Sequence, residues 1–319
     1  MNKDSWLKHF PVALFSSVMG LAGLALAWQR AEQLLLLPIA LSRVMTYVTF
    51  AVFIVIGMLY LAKLARFPRA VLTELQHLRK LNLFPAISIS LMLSAVLVLD
   101  EHRTASLALW ATGAALQFML TFHAMSAWLF KPGFELAHTD PVWFFPLVGN
   151  MVAATTGVEH APTELLWFFF SVGFSFWLAM FMAVFQRLIF HAPFPEQLTP
   201  TFFVLIAPPA VAFLAYYGLV GRLDAFARVL YYAALFMTVL LFANLGRFLR
   251  LRFSLAAWSY TFPLAAVVLA SLVMYQEIGG SWLRAIAGLL LVIVTTVVLV
   301  LLIRTGVAFV RGQICIPDA

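Results

Sequence analysis

Apolar runs long enough to cross a lipid bilayer recur from one end of this 319-residue chain to the other. About 20 helical residues traverse the hydrocarbon core. Reading the runs against their polar breaks predicts ten helices, near residues 9–28, 38–62, 83–99, 105–130, 141–158, 163–190, 199–219, 223–248, 254–275 and 282–310. With 64% hydrophobic residues, 10% charged and a mean hydropathy of +1.00, the chain has too little polar surface for a soluble domain. Its solvent is lipid. The runs are continuous rather than alternating and far exceed the roughly ten residues of a barrel strand, which excludes a β-barrel. The expectation is an all-α integral membrane protein whose single transmembrane domain fills residues 1–319.

Lysine and arginine fall unevenly between the runs, and positively charged connections are retained on the cytoplasmic side. The connection after the second helix carries Lys63, Arg66, Arg69, Arg79 and Lys80, and the one after the eighth carries Arg247, Arg250 and Arg252. The connections after the third helix (Asp100, Glu101, Arg103) and the fifth (Glu159, His160, Glu164) are acidic by comparison. Both termini are therefore expected in the cytoplasm, with the first helix retained rather than cleaved as a signal peptide. The net charge of +7 belongs to this topology and not to a nucleic-acid surface. Cys315 is the single cysteine and has no partner within the chain. No metal-ligand spacing, phosphate loop or intramembrane carboxylate pair points to an enzyme or a cofactor. Glu159-His160 reads as a solvated loop pair.

Phe10-Pro11, Phe84-Pro85, Phe145-Pro146 and Phe262-Pro263 open or interrupt odd-numbered helices, and the seventh helix has Pro208-Pro209 instead. Successive prolines lie one helical hairpin apart, so the chain reads as five tandem hairpins. The odd helices hold no ionisable residue in their cores and are rich in small and polar side chains, which permit close packing. The even helices are bulkier. This predicts an inner ring of odd helices around a central pore, surrounded by an outer ring of even ones. Candidate lining residues are Phe10, Ser16, Gly20 and Gly23 of the first helix, Phe84 and Ser88 of the third, Phe145, Gly149 and Asn150 of the fifth, Phe203 of the seventh and Thr261 of the ninth.

A proline inside a helix removes an N–H and kinks the axis. Pro11, Pro85, Pro146, Pro208, Pro209 and Pro263 are the candidate kinks, although Pro11 and Pro85 are also compatible with ordinary first-turn prolines. Where a helix is interrupted, the start of its second half carries partial positive charge and favours an anion. Four ionisable residues fall in even helices: Arg43, Arg228 and Arg304 close enough to span ends to snorkel, and His123 nearer mid-helix.

Four segments carry a family resemblance: FPVALFSSVMGLAGLALAW at 10–28, FFPLVGNMVAATTG at 144–157, PTFFVLIAPPAVAFLAYY at 200–217 and WSYTFPLAAVVLAS at 258–271. Together they resemble the bacterial tellurite-resistance and plant slow-type anion channel family, which also includes dicarboxylate and sulfite transporters. The resemblance implies a homotrimer in an inner membrane. Each subunit would have its own pore, closed at mid-membrane by a phenylalanine that matches Phe262, with room for the ring supplied by Gly20 or Gly23. The implied activity is passage of small monovalent anions such as chloride or nitrate. The alternative is proton-coupled or facilitated transport of a dicarboxylate, sulfite or tellurite-type oxyanion, for which a titratable inner group is expected.

Overall fold

The computed structural model describes residues 5–35, 37 and 39–315, and among these every regular element is helical. In chain order the long elements are α1 (Val12–Leu35), α2 (Leu41–Arg66), α3 (Lys80–Leu97), α4 (Arg103–Phe130), α5 (a 3-10 turn Pro141–Phe144 running into Phe145–Thr156), α6 (Thr163–Phe190), α7 (Glu196–Val220), α8 (Ala225–Ala243), α9 (Leu255–Ile278) and α10 (Ser281–Val310). Among the described residues nine of them, all but α5, are long and apolar enough to cross a membrane. With four residues at about 2.0 Å and twelve at about 1.5 Å, α5 covers about 26 Å, a little less than the hydrocarbon thickness.

The odd and even helices differ in what covers them. In α1, α3, α7 and α9 between 67% and 83% of the apolar window is buried, against 22% to 39% in α2, α4, α6, α8 and α10. In α5 every residue from Phe145 to Thr156 except Thr155 is buried. The even helices turn large apolar side chains outward, such as Phe118, Met119 and Phe122 of α4 and Val292, Leu299 and Ile303 of α10. Each even helix packs against the odd helix before it, and among the odd helices α1 packs on α3, α3 on α5, α5 on α7, α7 on α9 and α9 on α1.

Glycine sets two of these approaches. A methyl built on Gly20 of α1 would occupy the place of the Thr261 hydroxyl of α9, and one built on Gly149 of α5 would occupy that of the Gln117 carboxamide of α4. A side chain at either position would displace the partner seated there.

The candidate kinks at Pro208, Pro209 and Pro263 do not interrupt an α-helix, because these prolines stand in the first turn of their α segments. Each odd element begins in the tighter 3-10 winding, and in four of them the change to α falls at or beside the proline: Lys80–Leu83 before Pro85, Pro141–Phe144 before Phe145-Pro146, Glu196–Ile206 before Ala207-Pro208-Pro209, and Leu255–Tyr260 before Thr261-Phe262-Pro263, while in α1 Val12–Leu14 precedes Phe15. Proline is tolerated there because the first α turn has no i−4 acceptor to lose. Pro11 stands apart, in extended conformation (φ −84°, ψ 138°) ahead of the 3-10 turn, and is not a kink. At every joint a backbone N–H still bonds back into the 3-10 segment: Phe15 to Val12, Phe84 to Leu81, Phe145 to Val142, Ala207 to Val204 and Thr261 to Trp258. Each joint is thus bridged by at least one backbone bond. The field expected from interrupted helices is correspondingly reduced.

A buried ion pair holds the entry to α1. Lys63, near the end of α2, lies 2.6 Å from Glu74 of the short helix Pro68–Gln76 and donates to the Phe10 carbonyl at 2.7 Å. The Tyr60 hydroxyl donates to the same Glu74 oxygen at 3.1 Å.

Candidate functional site

A cavity of about 390 Å³ is lined by residues from all five odd helices. A second one, of about 10 Å³, has room for roughly one water and is also lined by all five. Along each helix most of the lining positions fall on a stripe at three- and four-residue spacing, with Gln29, Asp100, Trp258 and Pro263 beside it. In α1 it runs Ser16, Met19, Gly23, Leu26, Arg30, Gln33; in α3 Ile89, Leu93, Val96; in α5 Phe145, Val148, Val152, Thr155, Thr156. In α7 it runs Val204, Ala207, Val211, Leu214, and in α9 Ser259, Phe262, Ala266, Leu269, Val273. The two cavities therefore lie in series along one axis, and Phe262 is the one lining residue they share.

The backbone just before Phe262 is fastened to α1 and α10. Thr261 fits against Gly20 and donates its hydroxyl to the Trp258 carbonyl at 2.7 Å, and the Trp258 indole N–H donates to Thr305 of α10 at 3.0 Å. The phenyl ring faces Gly23, whose missing Cβ would lie 3.5 Å from Phe262 Cδ2 and 3.1 Å from Ala265 Cβ. Gly23 rather than Gly20 borders the ring, while Gly20 receives Thr261.

Of the expected lining residues, Ser16, Gly23, Phe145 and Phe262 border the cavities, as does Pro263. The others face neighbouring helices. Ser88 donates to the Pro85 carbonyl and to Gln117 of α4, and Asn150 donates to Thr121 of α4 and to the Pro146 carbonyl. Gly149 meets Gln117, and Gly20 and Thr261 meet each other. Phe10 is edge-on to Trp6, Phe84 to Tyr60, and Phe203 to Phe242, Phe248 and Tyr260. In a bilayer a hydroxyl or amide needs a protein partner, which α4 supplies to Ser88 and Asn150 and the Trp258 carbonyl to Thr261.

The ionisable residues divide by position. Arg43 and Arg304 are exposed and Arg228 half-buried, while His123 is exposed on α4 with its Nε2 3.4 Å from the Leu75 carbonyl, away from both cavities. His160 is not merely solvated. Ser106 donates to the Ala95 carbonyl at 2.7 Å, so at 2.8 Å it accepts from His160 Nε2–H. Burial and the nearby charge of Arg103 hold this imidazole below its ordinary pKa. Two charged residues line the wide cavity, Arg30 of α1 and Asp100 just after α3. Arg30 escaped the sequence reading because α1 runs to Leu35 instead of ending near Trp28, which places two further turns on the same stripe.

A profile of the family described as voltage-dependent anion channel, SLAC1, matches residues 9–306. The chain belongs to the SLAC1 family. Among curated relatives, the S-type anion channel SLAH2 of Arabidopsis thaliana is 28% identical over 86% of this chain and 54% of its own length. The guard cell S-type anion channel SLAC1 of the same plant is 27% identical over 95% of this chain and 57% of its own. The chain thus spans about half the length of these plant relatives. The tellurite resistance protein TehA homolog of Haemophilus influenzae is 24% identical, with 95% of this chain and 92% of the relative covered.

Proposed function

We propose that the protein is an anion channel passing small monovalent anions such as chloride or nitrate along the axis enclosed by α1, α3, α5, α7 and α9. The five odd helices form the inner ring of five tandem hairpins, α5 completes the tenth crossing, and the Phe262 ring is the gate. The reading is carried by one observation: one stripe from each odd helix lines two cavities in series, with Phe262 common to both. A phenyl ring at a constriction dewets it and opens by rotamer change, while the fastened backbone ahead of it stays in place. The walls around it are mostly apolar, so an ion sheds water to pass. The cost of dehydration rises with the square of the charge, which favours monovalent anions over sulfite-like dianions.

The working unit is a homotrimer with one pore per subunit, in a bacterial inner membrane with both termini cytoplasmic. The basic connections after α2 and α8 support that orientation. In it the wide cavity opens to the side opposite the cytoplasm.

Phe262→Ala removes the ring and joins the two cavities. Chloride current through the purified protein in planar bilayers should rise by about tenfold or more, the equivalent of at least 1.4 kcal/mol off the barrier. An unchanged conductance would overturn the assignment of the gate.

A further inference from the structure

The axis needs a source of anion preference, since the helix joints are bridged by backbone bonds and the walls near Phe262 are uncharged. We infer that Arg30 is the charge-selecting station of the wide cavity, the point at which an anion is concentrated before it meets Phe262, and that Asp100 opposes it. This rests on the channel proposed above.

Arg30 stands on the lining stripe of α1, seven residues and therefore about 10 Å beyond Gly23 along the helix axis. Its guanidinium donates to the side-chain oxygen of Gln276 on α9. That partner is neutral and orients the group without cancelling its charge. Among the described residues no carboxylate lies within ion-pair distance of it, and the nearby Glu277 accepts from the Tyr217 hydroxyl of α7 at 2.7 Å. A cation in a cleft with low-dielectric walls acts on ions over a longer range than one on an open surface, and raises the local concentration of its counter-ion. Asp100 lines the same cavity from the end of α3 and reduces that effect.

The test is single-channel conductance in the Phe262→Ala background at about 0.05 M and about 1 M KCl, where the Debye length shrinks from more than 10 Å to about 3 Å. Arg30→Gln, which keeps a donor for Gln276, should lower chloride conductance about threefold to tenfold in the dilute salt and reduce chloride-over-potassium selectivity, with little change at 1 M. Arg30→Lys should stay near the parent, and Asp100→Asn should raise the dilute-salt conductance. A loss of the same factor at both salt concentrations, or no loss at either, would overturn the role of Arg30 and leave the channel standing. A parent that passes cations as well as chloride, or passes neither, would instead remove the channel itself and this station with it.

Discussion

Asp140 is the buried N-cap of the 3-10 turn that leads into Phe145, one of the residues bordering the narrow cavity. Its Oδ1 accepts from the Val142 N–H at 2.9 Å. Burial pushes the carboxyl up to about 6 from an ordinary 3.8, against the opposing pull of that hydrogen bond and of Arg79. The sign of the linkage follows from proton count. Between about pH 4 and pH 6 the folded protein holds a proton that the unfolded chain has released, so stability is greatest below that window and falls as pH rises through it. A shift of roughly two pH units corresponds to at most about 3 kcal/mol. Asp140→Asn keeps the carbonyl that caps Val142 and removes the titration. The unfolding midpoint of the detergent-solubilised wild type should drop between pH 4 and pH 7, with a visibly flatter profile for the variant. Parallel profiles would show that Asp140 does not carry this pH dependence.

Among the elements, the joint between α2, the short helix Pro68–Gln76 and the entry to α1 rests on Lys63 and Glu74, both largely buried. Removing one partner of a buried pair strands the other charge at about 3–5 kcal/mol, whereas replacing both by apolar groups of similar volume is often neutral. Lys63→Met should therefore lower the thermal midpoint sharply, and Lys63→Met/Glu74→Leu should recover most of the loss. A double variant as unstable as the single one would mean that packing, not charge, governs this joint. The pair also shows what was hidden at the element scale. Nothing in the spacing of Lys63 and Glu74 marks them as partners, since a turn at Phe67-Pro68 lies between them. The apolar runs were legible because only some 20 helical residues cross a bilayer, and the buried character of the odd helices because they lack charge. Prolines marked the joints, but residue pattern does not distinguish 3-10 winding from α. Ser88 and Asn150 point away from the axis because their hydrogen bonds are made to α4, while the stripe that borders the cavities is mainly Val, Leu and Ala and resembles any packed interface. Phe262 was reached through the family resemblance, and Arg30 was missed because Gln29 and Arg30 read as the end of a helix that continues to Leu35.

For the whole molecule the issue is whether ions flow through a standing route or are carried by alternating closure of two sides. A proton-coupled carrier needs a titratable group that sees the transported ion from both sides. Of the residues lining the two cavities, Arg30 and Asp100 are the charged ones, both toward the outer end of the wide cavity, and no His or Glu lines either space. Alternating closure also requires one set of helices to rock against another, whereas here the joint beside Phe262 is held by Thr261 against Gly20 and by Trp258 against Thr305. The proposed side-chain gate in such a frame accords better with a channel. Under a tenfold chloride gradient the reversal potential of Phe262→Ala should then shift by about 59 mV, because a tenfold ratio is 1.36 kcal/mol and 100 mV is about 2.3 kcal/mol per charge. It should stay at that value when a pH gradient is imposed across the same bilayer. A reversal potential that moves with the proton gradient in a fixed ratio would assign the protein to coupled transport, and the site of proton binding would then have to be sought outside the apolar stripe.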